Sequence, residues 1–422
     1  MLDIKFIREN KEVVQMGAKK KHIDFDVDAL LLIDDKRKEL LQKIESKKAE
    51  QSKQGIAIEK ASTTEKVDLI RSMQKLKVEL QKEEEQMKEV MKEWQRQMLL
   101  VPNVPDISVP EGNTEEQNVE VKASGEKMKF NFPAKSHIEI MENLNMADFE
   151  KGTEVAGFRG YFLKNAGAEL SFAIWNYAKD FWIKKGFEFM IVPSLVRKQT
   201  LLGSGYLPQG EDDLYKTQDE DYLAGTGEVA TMSYFADSIV EKSKLPIKVL
   251  AFSPCFRREA GSHSKDVKGL IRVHEFFKLE QVILCEASHA ESVKYHEEIN
   301  NNTEEFIESL GIAYRTVLNC GSDVGLGQVK KYDIELWIPG EGKYREISSA
   351  SYFHDFQTRR LNIRYRDDQS KLRFLHSLNC TAIPTPRILV SLVENYQKED
   401  GSVVIPEVLR PYLNNREVIS RS

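Results

Sequence analysis

The chain has 422 residues, of which 41% are hydrophobic and 30% charged, and it carries a formal net charge of −6. That length exceeds one ordinary core and predicts at least two domains. The acidic balance excludes a globally basic nucleic-acid binder, so any contact with nucleic acid must be local. The four cysteines, Cys255, Cys285, Cys320 and Cys380, form no CxxC pair and no zinc-ligand spacing, and they read as free thiols of a reducing compartment. The opening MLDIKFIREN has no apolar signal core, and no run reaches membrane-spanning length. A soluble, cytoplasmic protein without a membrane partner is expected.

Taken in order, residues 4–17 form a short amphipathic segment, and two long helical patterns follow over 28–54 and 64–100. In the second, Leu69, Met73, Leu76, Leu80, Glu83, Met87, Val90 and Trp94 recur at spacings of four and three, a seam with one interruption at Glu83. The first offers Ile33, Leu40, Ile44 and Gln51, with Arg37 and Lys47 breaking the seam. The stretch GIAIEKASTT reads as their connection, with Thr63 or Thr64 as the cap of the second helix. These features predict an antiparallel coiled-coil hairpin that projects from the body. Acidic and basic residues nearly balance along it, so charge alone does not mark it as an RNA binder.

Three prolines in VPNVPDISVPEG, Pro102, Pro105 and Pro110, cannot sustain a helix. They place a boundary between a domain 1–108 and a domain 109–422. Beyond it a helix is expected over 168–184 and a strand ending near Pro193, then a short strand over 223–229. Strands follow over 247–256 and 272–284, a helix over 290–310, strands over 314–318, 331–338 and 344–351, and a late helix over 388–396. The elements mix without regular alternation, which predicts an α+β fold with an antiparallel-rich sheet. GxxxxGK[ST] is absent, which argues against a P-loop nucleotide fold.

The stretch FSPCFRREAGSHSKDVKGLIRVHEFFKLE, 252–280, carries the chemistry. Forked guanidinium groups such as those of Arg257 and Arg258 pair with phosphate or carboxylate oxygens in a way lysine cannot reproduce. An aromatic face such as Phe276 supports a purine, and a carboxylate such as Glu259 accepts from an exocyclic amine. FRxEAGS followed by GLIRxHxFxKxE resembles motif 2 of the class II aminoacyl-tRNA synthetases, and specifically of bacterial-type seryl-tRNA synthetases. Residues 168–196 resemble motif 1. Tyr332-Asp333-Ile334-Glu335 with Tyr344-Arg345-Glu346-Ile347-Ser348-Ser349 is similar to the family's YDLEVW…YREISS. Asn379-Cys380-Thr381, Arg387 and the VENYQ run resemble motif 3, and VIPEVLRPYL matches the family's C-terminal end.

The resemblance implies an antiparallel class II sheet flanked by helices, an ATP-dependent serine–tRNA ligase activity, and a homodimer built on motif 1. It implies that Arg257 grips the α-phosphate and the serine carboxylate. Arg387 holds the γ-phosphate end and covers one face of the adenine. Phe276 stacks on the other face, and Glu259 accepts from the adenine amine. Arg258, Val273, Ile347 and Ser348 complete the ATP-binding set. Glu346 and Ser349 are the implied Mg²⁺ ligands, and no zinc is expected. Thr226, Gly227, Glu228, Arg257, Glu280, Asn379 and Thr381 are the implied serine-binding residues. Of these, Glu280 and Thr381 face the hydroxyl, and Thr226 and Glu228 lie near the amine.

The implied acceptor is tRNA(Ser), read through its long variable arm by the coiled coil, with Lys265 and Lys268 at the acceptor end. Where the host has it, tRNA(Sec) is a second acceptor. Gly225 and Gly227 depart from the family's usual Pro-Thr-Ala-Glu run. Cys380, Pro384 and Pro386 stand among positions usually small or glycine. These motif 3 departures are the support for one alternative, a synthetase-like paralogue that binds tRNA without catalysis.

Overall fold

The computed structural model describes residues 1–261 and 266–421. The chain divides into two compact units: residues 1–19 with 23–102, and residues 20–22 with 103–422.

The first unit is dominated by α1 (Val27–Lys60) and α2 (Thr63–Leu100), packed along each other. Leu40, Ile44, Leu76 and Leu80 are buried in the seam. The residues that interrupt the apolar pattern meet one another. Lys47 Nζ lies 2.9 Å from Glu79 Oε2 and 3.0 Å from Glu83 Oε1, and the Arg37 guanidinium sits 4.9 Å from the Trp94 ring centroid. Matched polar partners of this kind fix register at some cost in stability. The expected ten-residue connection is mostly helix: α1 runs through Gly55 to Lys60, because one glycine costs only about 1 kcal/mol, little against a helix of 34 residues. The turn is Ala61–Ser62, and the cap is Ser62 rather than Thr63 or Thr64. Glu65 Oε2 accepts from the Ser62 N–H at 3.1 Å and from its hydroxyl at 2.6 Å.

The second unit is built on an eight-stranded sheet. Its strands are β1 (Val119–Ser124), β2 (Glu188–Ile191), β3 (Ile247–Phe256), β4 (Glu275–Cys285), β5 (Tyr314–Leu318), β6 (Lys330–Ile338), β7 (Lys343–His354) and β8 (His376–Thr385). Their order is β1-β5-β6-β7-β8-β4-β3-β2, antiparallel throughout except for the β2–β3 pair. Helices α3 (Asn165–Lys184), α4 (Gly227–Tyr234), α5 (His289–Ser309) and α6 (Arg387–Asn395) pack against it. Trp182, Phe306, Tyr314 and Tyr352 are fully buried in its main core.

Alternation along β4 decides which face carries the site. Gln281 donates from Nε2 to the Ile299 carbonyl of α5 at 3.0 Å, so the odd residues face that helix. Phe276, Lys278 and Glu280 therefore face the other way. Two expectations are corrected here. The strand expected over 223–229 ends at Leu223, and Gly227–Tyr234 is helix, because the Thr226 hydroxyl accepts from the Glu228 N–H as an N-cap. Arg272 precedes its strand, which begins at Glu275.

Candidate active site

Two β-bulges assemble the cavity. On β7, Ser348 pairs with Ile334 and Glu346 with Glu335, so Ile347 is an extra residue. A regular strand would point positions three apart to opposite faces, whereas the bulge turns Glu346 and Ser349 to the same one. On β8, Thr381 pairs with Glu280 and Ile383 with Leu279, which leaves Ala382 extra and brings Thr381 and Pro384 to one face. The result is a cavity of about 350 Å³ lined by Thr226, Glu228, Arg257, Glu259, Val273, Phe276, Glu280, Glu346, Ile347, Ser349, Asn379, Thr381 and Arg387, together with residues the motifs did not single out.

One end is rich in cations and aromatic surface. The Arg257 guanidinium lies 5.3 Å from the Phe276 centroid, and its Nε donates to the Gly225 carbonyl at 3.4 Å. Arg387, the first residue of α6, donates from Nε to the Ile271 carbonyl at 2.9 Å and from Nη1 to the Glu346 carbonyl at 2.8 Å. Burial pulls the Arg387 pKa down. The Glu346 carboxylate opposes that shift, and the Arg257 and Arg272 guanidiniums add to it. Mutually repelling cations of this kind suit a polyanion. Glu259 has a left-handed backbone, φ +54°, and meets Arg272 Nη1 at 2.5 Å.

The other end is a buried polar cluster. Lys278 Nζ contacts Glu280 Oε2 at 2.5 Å and the Thr226 hydroxyl at 2.7 Å, and the Thr381 hydroxyl lies 3.4 Å from Glu280 Oε2. Glu228 accepts from Gln357 Nε2 at 2.5 Å and from the Tyr206 hydroxyl at 3.2 Å. Burial raises the Glu228 carboxyl to about 7, with Glu280 adding to the shift and the Gln357 and Tyr206 hydrogen bonds opposing it. Pro384 is accommodated because pairing between β7 and β8 stops at Cys380, so β8 has one flank to satisfy beyond that point. Cys380 is buried in the core with its thiol pushed up to about 12 by burial, which makes it inert.

Three expected residues do not line the cavity. Arg258 is exposed. Gly227 is buried as the first residue of α4, where a Cβ would sit 3.3 Å from Ala251 Cβ and Ser253 Oγ. Ser348 points to the opposite face, and its hydroxyl donates to the Thr381 carbonyl at 2.5 Å. Lys268 is exposed, and Lys265 lies outside the described residues. Sequence reasoning missed Lys278, although its place between Phe276 and Glu280 at period two was a readable signal. Tyr206 and Gln357 come from distant segments and left no local trace.

The seryl-tRNA synthetase N-terminal domain model matches residues 1–105, and the model of the tRNA synthetase class II core domain (G, H, P, S and T) matches residues 213–396. The serine–tRNA ligase of Deinococcus radiodurans is 42% identical over 100% of this chain and 99% of its own. This chain belongs to the seryl-tRNA synthetase family. The seryl-tRNA synthetase of Pyrococcus horikoshii, solved in complex with ATP, superposes with a TM-score of 0.92 at 36% identity over all of both chains. The cytoplasmic serine–tRNA ligase of Naegleria fowleri, solved with AMP, superposes with a TM-score of 0.88 at 33% identity, covering 100% of this chain and 99% of that one. As in the seryl-tRNA synthetase relatives, the N-terminal hairpin and the antiparallel catalytic sheet occur in one chain.

Proposed function

We propose that this protein is a cytoplasmic serine–tRNA ligase. A serine carboxylate oxygen attacks the α-phosphorus of ATP, the bond to the bridging oxygen breaks and pyrophosphate leaves. A ribose hydroxyl of the 3′-terminal adenosine of tRNA(Ser) then attacks the acyl carbon, and AMP leaves. The observation that carries the reading is the single cavity in which Arg257 stands between a cationic, aromatic end and the Thr226–Lys278–Glu280–Thr381 cluster. Both reactants are anions, so positioned charge supplies most of the catalysis and no protein nucleophile is needed. Arg257 bridges the two anions, Arg387 and Phe276 hold the nucleotide, and Glu280 and Thr381 meet the serine hydroxyl.

The Glu346 carboxylate and Ser349 hydroxyl, turned to one face by the bulge at Ile347, fit a hard cation that prefers oxygen ligands. Mg²⁺ held there would offset phosphate charge. The departures in motif 3 leave these groups in place, so nothing favours the non-catalytic alternative, and no observation supports tRNA(Sec) as acceptor. Charging tests the reading of the arm: a tRNA(Ser) transcript should accept serine, and the same transcript lacking its long variable arm should accept it at least about tenfold more slowly.

Glu228 near the serine ammonium makes activation pH-dependent. Its carboxyl titrates at about 7 in the unliganded site and is neutral below that. Only the carboxylate attracts the ammonium, so serine binding releases a proton and weakens as pH falls. KM for serine should rise about tenfold from pH 8 to pH 6, and Glu228→Gln should flatten that dependence.

The homodimer is proposed on an apolar face behind the site. Phe172 and Ile191 are 62% and 75% exposed, and they border a groove of about 900 Å³ with Trp175, Phe252 and Phe277. Trp175 Nε1 donates to Thr385 Oγ1 at 2.7 Å, which ties that face to the cavity wall. An exposed apolar face of this kind is the sort of surface that serves as an interface. Phe172→Asp with Ile191→Asp should yield a monomer by sedimentation, with exchange activity lost.

A further inference from the structure

Lys21 is a buried lysine held by three backbone carbonyls. Its Nζ donates to Gly325 at 3.0 Å, to Leu326 at 3.1 Å and to Gln328 at 2.5 Å, which uses all three ammonium hydrogens. Burial lowers its pKa well below the ordinary value, and among the described residues no carboxylate offsets the shift. A buried cation is costly unless every donor is used, and these donors all go to one short segment, Gly325–Gln328. Asn103 grips the same segment. Its N–H donates to the Leu326 carbonyl at 2.8 Å, and its Nδ2 donates to the Gly327 carbonyl at 3.0 Å and the Phe353 carbonyl at 2.8 Å.

The segment is a wall of the active-site cavity, and strand register shows at which end. Along β7 the cavity residues run Glu346, Ser349, Ser351, Phe353, and along β8 they run Pro384, Thr381, Asn379. Ser351 pairs with Asn379, one step beyond Thr381 and away from Glu346 and Arg387. The wall therefore closes the amino-acid end. Gln328 Nε2 donates to Ser351 Oγ at 2.8 Å, and its Oε1 accepts from the Gly325 N–H at 2.6 Å. The amide is engaged at both ends and cannot swing aside without losing a bond.

We infer that Gly325–Gln328 is a specificity-determining wall of the amino-acid pocket, held at serine depth by Lys21 and Asn103 as positioning residues. This rests on the serine-activating reading above. Serine and threonine differ by one methyl group, and steric exclusion of a group that size discriminates by about 10–200-fold. Such exclusion lasts only while the wall holds its place.

The test is ATP–pyrophosphate exchange by the full-length protein with serine and with threonine. Lys21→Met and Gln328→Ala should each lower the serine-over-threonine ratio of kcat/KM about tenfold with KM for ATP unchanged. Lys21→Arg, which reaches the same carbonyls, should recover most of it. A ratio within twofold of wild type in Gln328→Ala overturns the wall, and the same result in folded Lys21→Met overturns the anchor. Equal losses for ATP and serine mean general damage and also count against the inference. If Lys21→Met does not fold, Gln328→Ala decides alone. Wild-type protein that does not exchange with serine overturns the functional reading instead.

Discussion

Arg257→Ala is expected to lower kcat for serine-dependent ATP–pyrophosphate exchange by about a thousandfold while the protein stays folded. The side chain lies in the cavity between Phe276 and the Thr226–Glu280 cluster, and its hydrogen bond to the Gly225 carbonyl, at 3.4 Å, is weak. Little of the fold depends on it, whereas the proposed reaction needs a cation where its two anions meet. Arg257→Lys should not rescue the rate, because an ammonium cannot bridge two oxyanions with a planar fork. Single-turnover adenylate formation would separate this loss from one in serine binding. A fall below tenfold would mean that the charge is supplied elsewhere.

Glu280→Ala is expected to cost stability as well as activity. Glu280 and Lys278 are 3% and 4% exposed, and their charged atoms lie 2.5 Å apart. Removing the carboxylate leaves a buried ammonium with only hydroxyl partners, a loss of roughly 3–5 kcal/mol. The urea midpoint of the catalytic unit should fall accordingly. Lys278→Met with Glu280→Leu should recover most of that stability, because a packed apolar pair replaces a buried ion pair at little cost. The double variant should still fail to exchange, since the carboxylate proposed to accept from the serine hydroxyl is gone and Thr381 alone is left facing it. Single and double variants of equal stability would show that the pair is not buried in the way described.

The motif residues were legible because short spacing on strands carries them. Arg257 and Glu259 follow directly on one strand, Phe276 and Glu280 alternate on the next, and Arg387 opens a helix. The three-residue separation of Glu346 and Ser349 was readable only as a resemblance, because a regular strand would put them on opposite faces. The bulge at Ile347 that joins them leaves no mark in the pattern. Lys278 was visible in the alternation, yet a lysine in a strand reads first as solvated. Its burial depends on Thr226 and Thr381, which are 52 and 103 residues away. The first turn of the helix at Gly227–Tyr234 reads as the end of a strand over 223–229, because Thr226 capping competes with a β-compatible run. Helix α1 runs past Gly55 because the cost of one glycine, about 1 kcal/mol, is small against a helix of 34 residues. Lys21 gave no signal at all: a lysine in a polar connection is ordinary until the fold closes carbonyls around it.

Serine-dependent ATP–pyrophosphate exchange in the presence of Mg²⁺, with alanine, glycine and threonine alongside, tests the central claim most directly. The account predicts exchange with serine far above the other three. Absence of exchange with every amino acid, in folded protein that still binds tRNA, would contradict it.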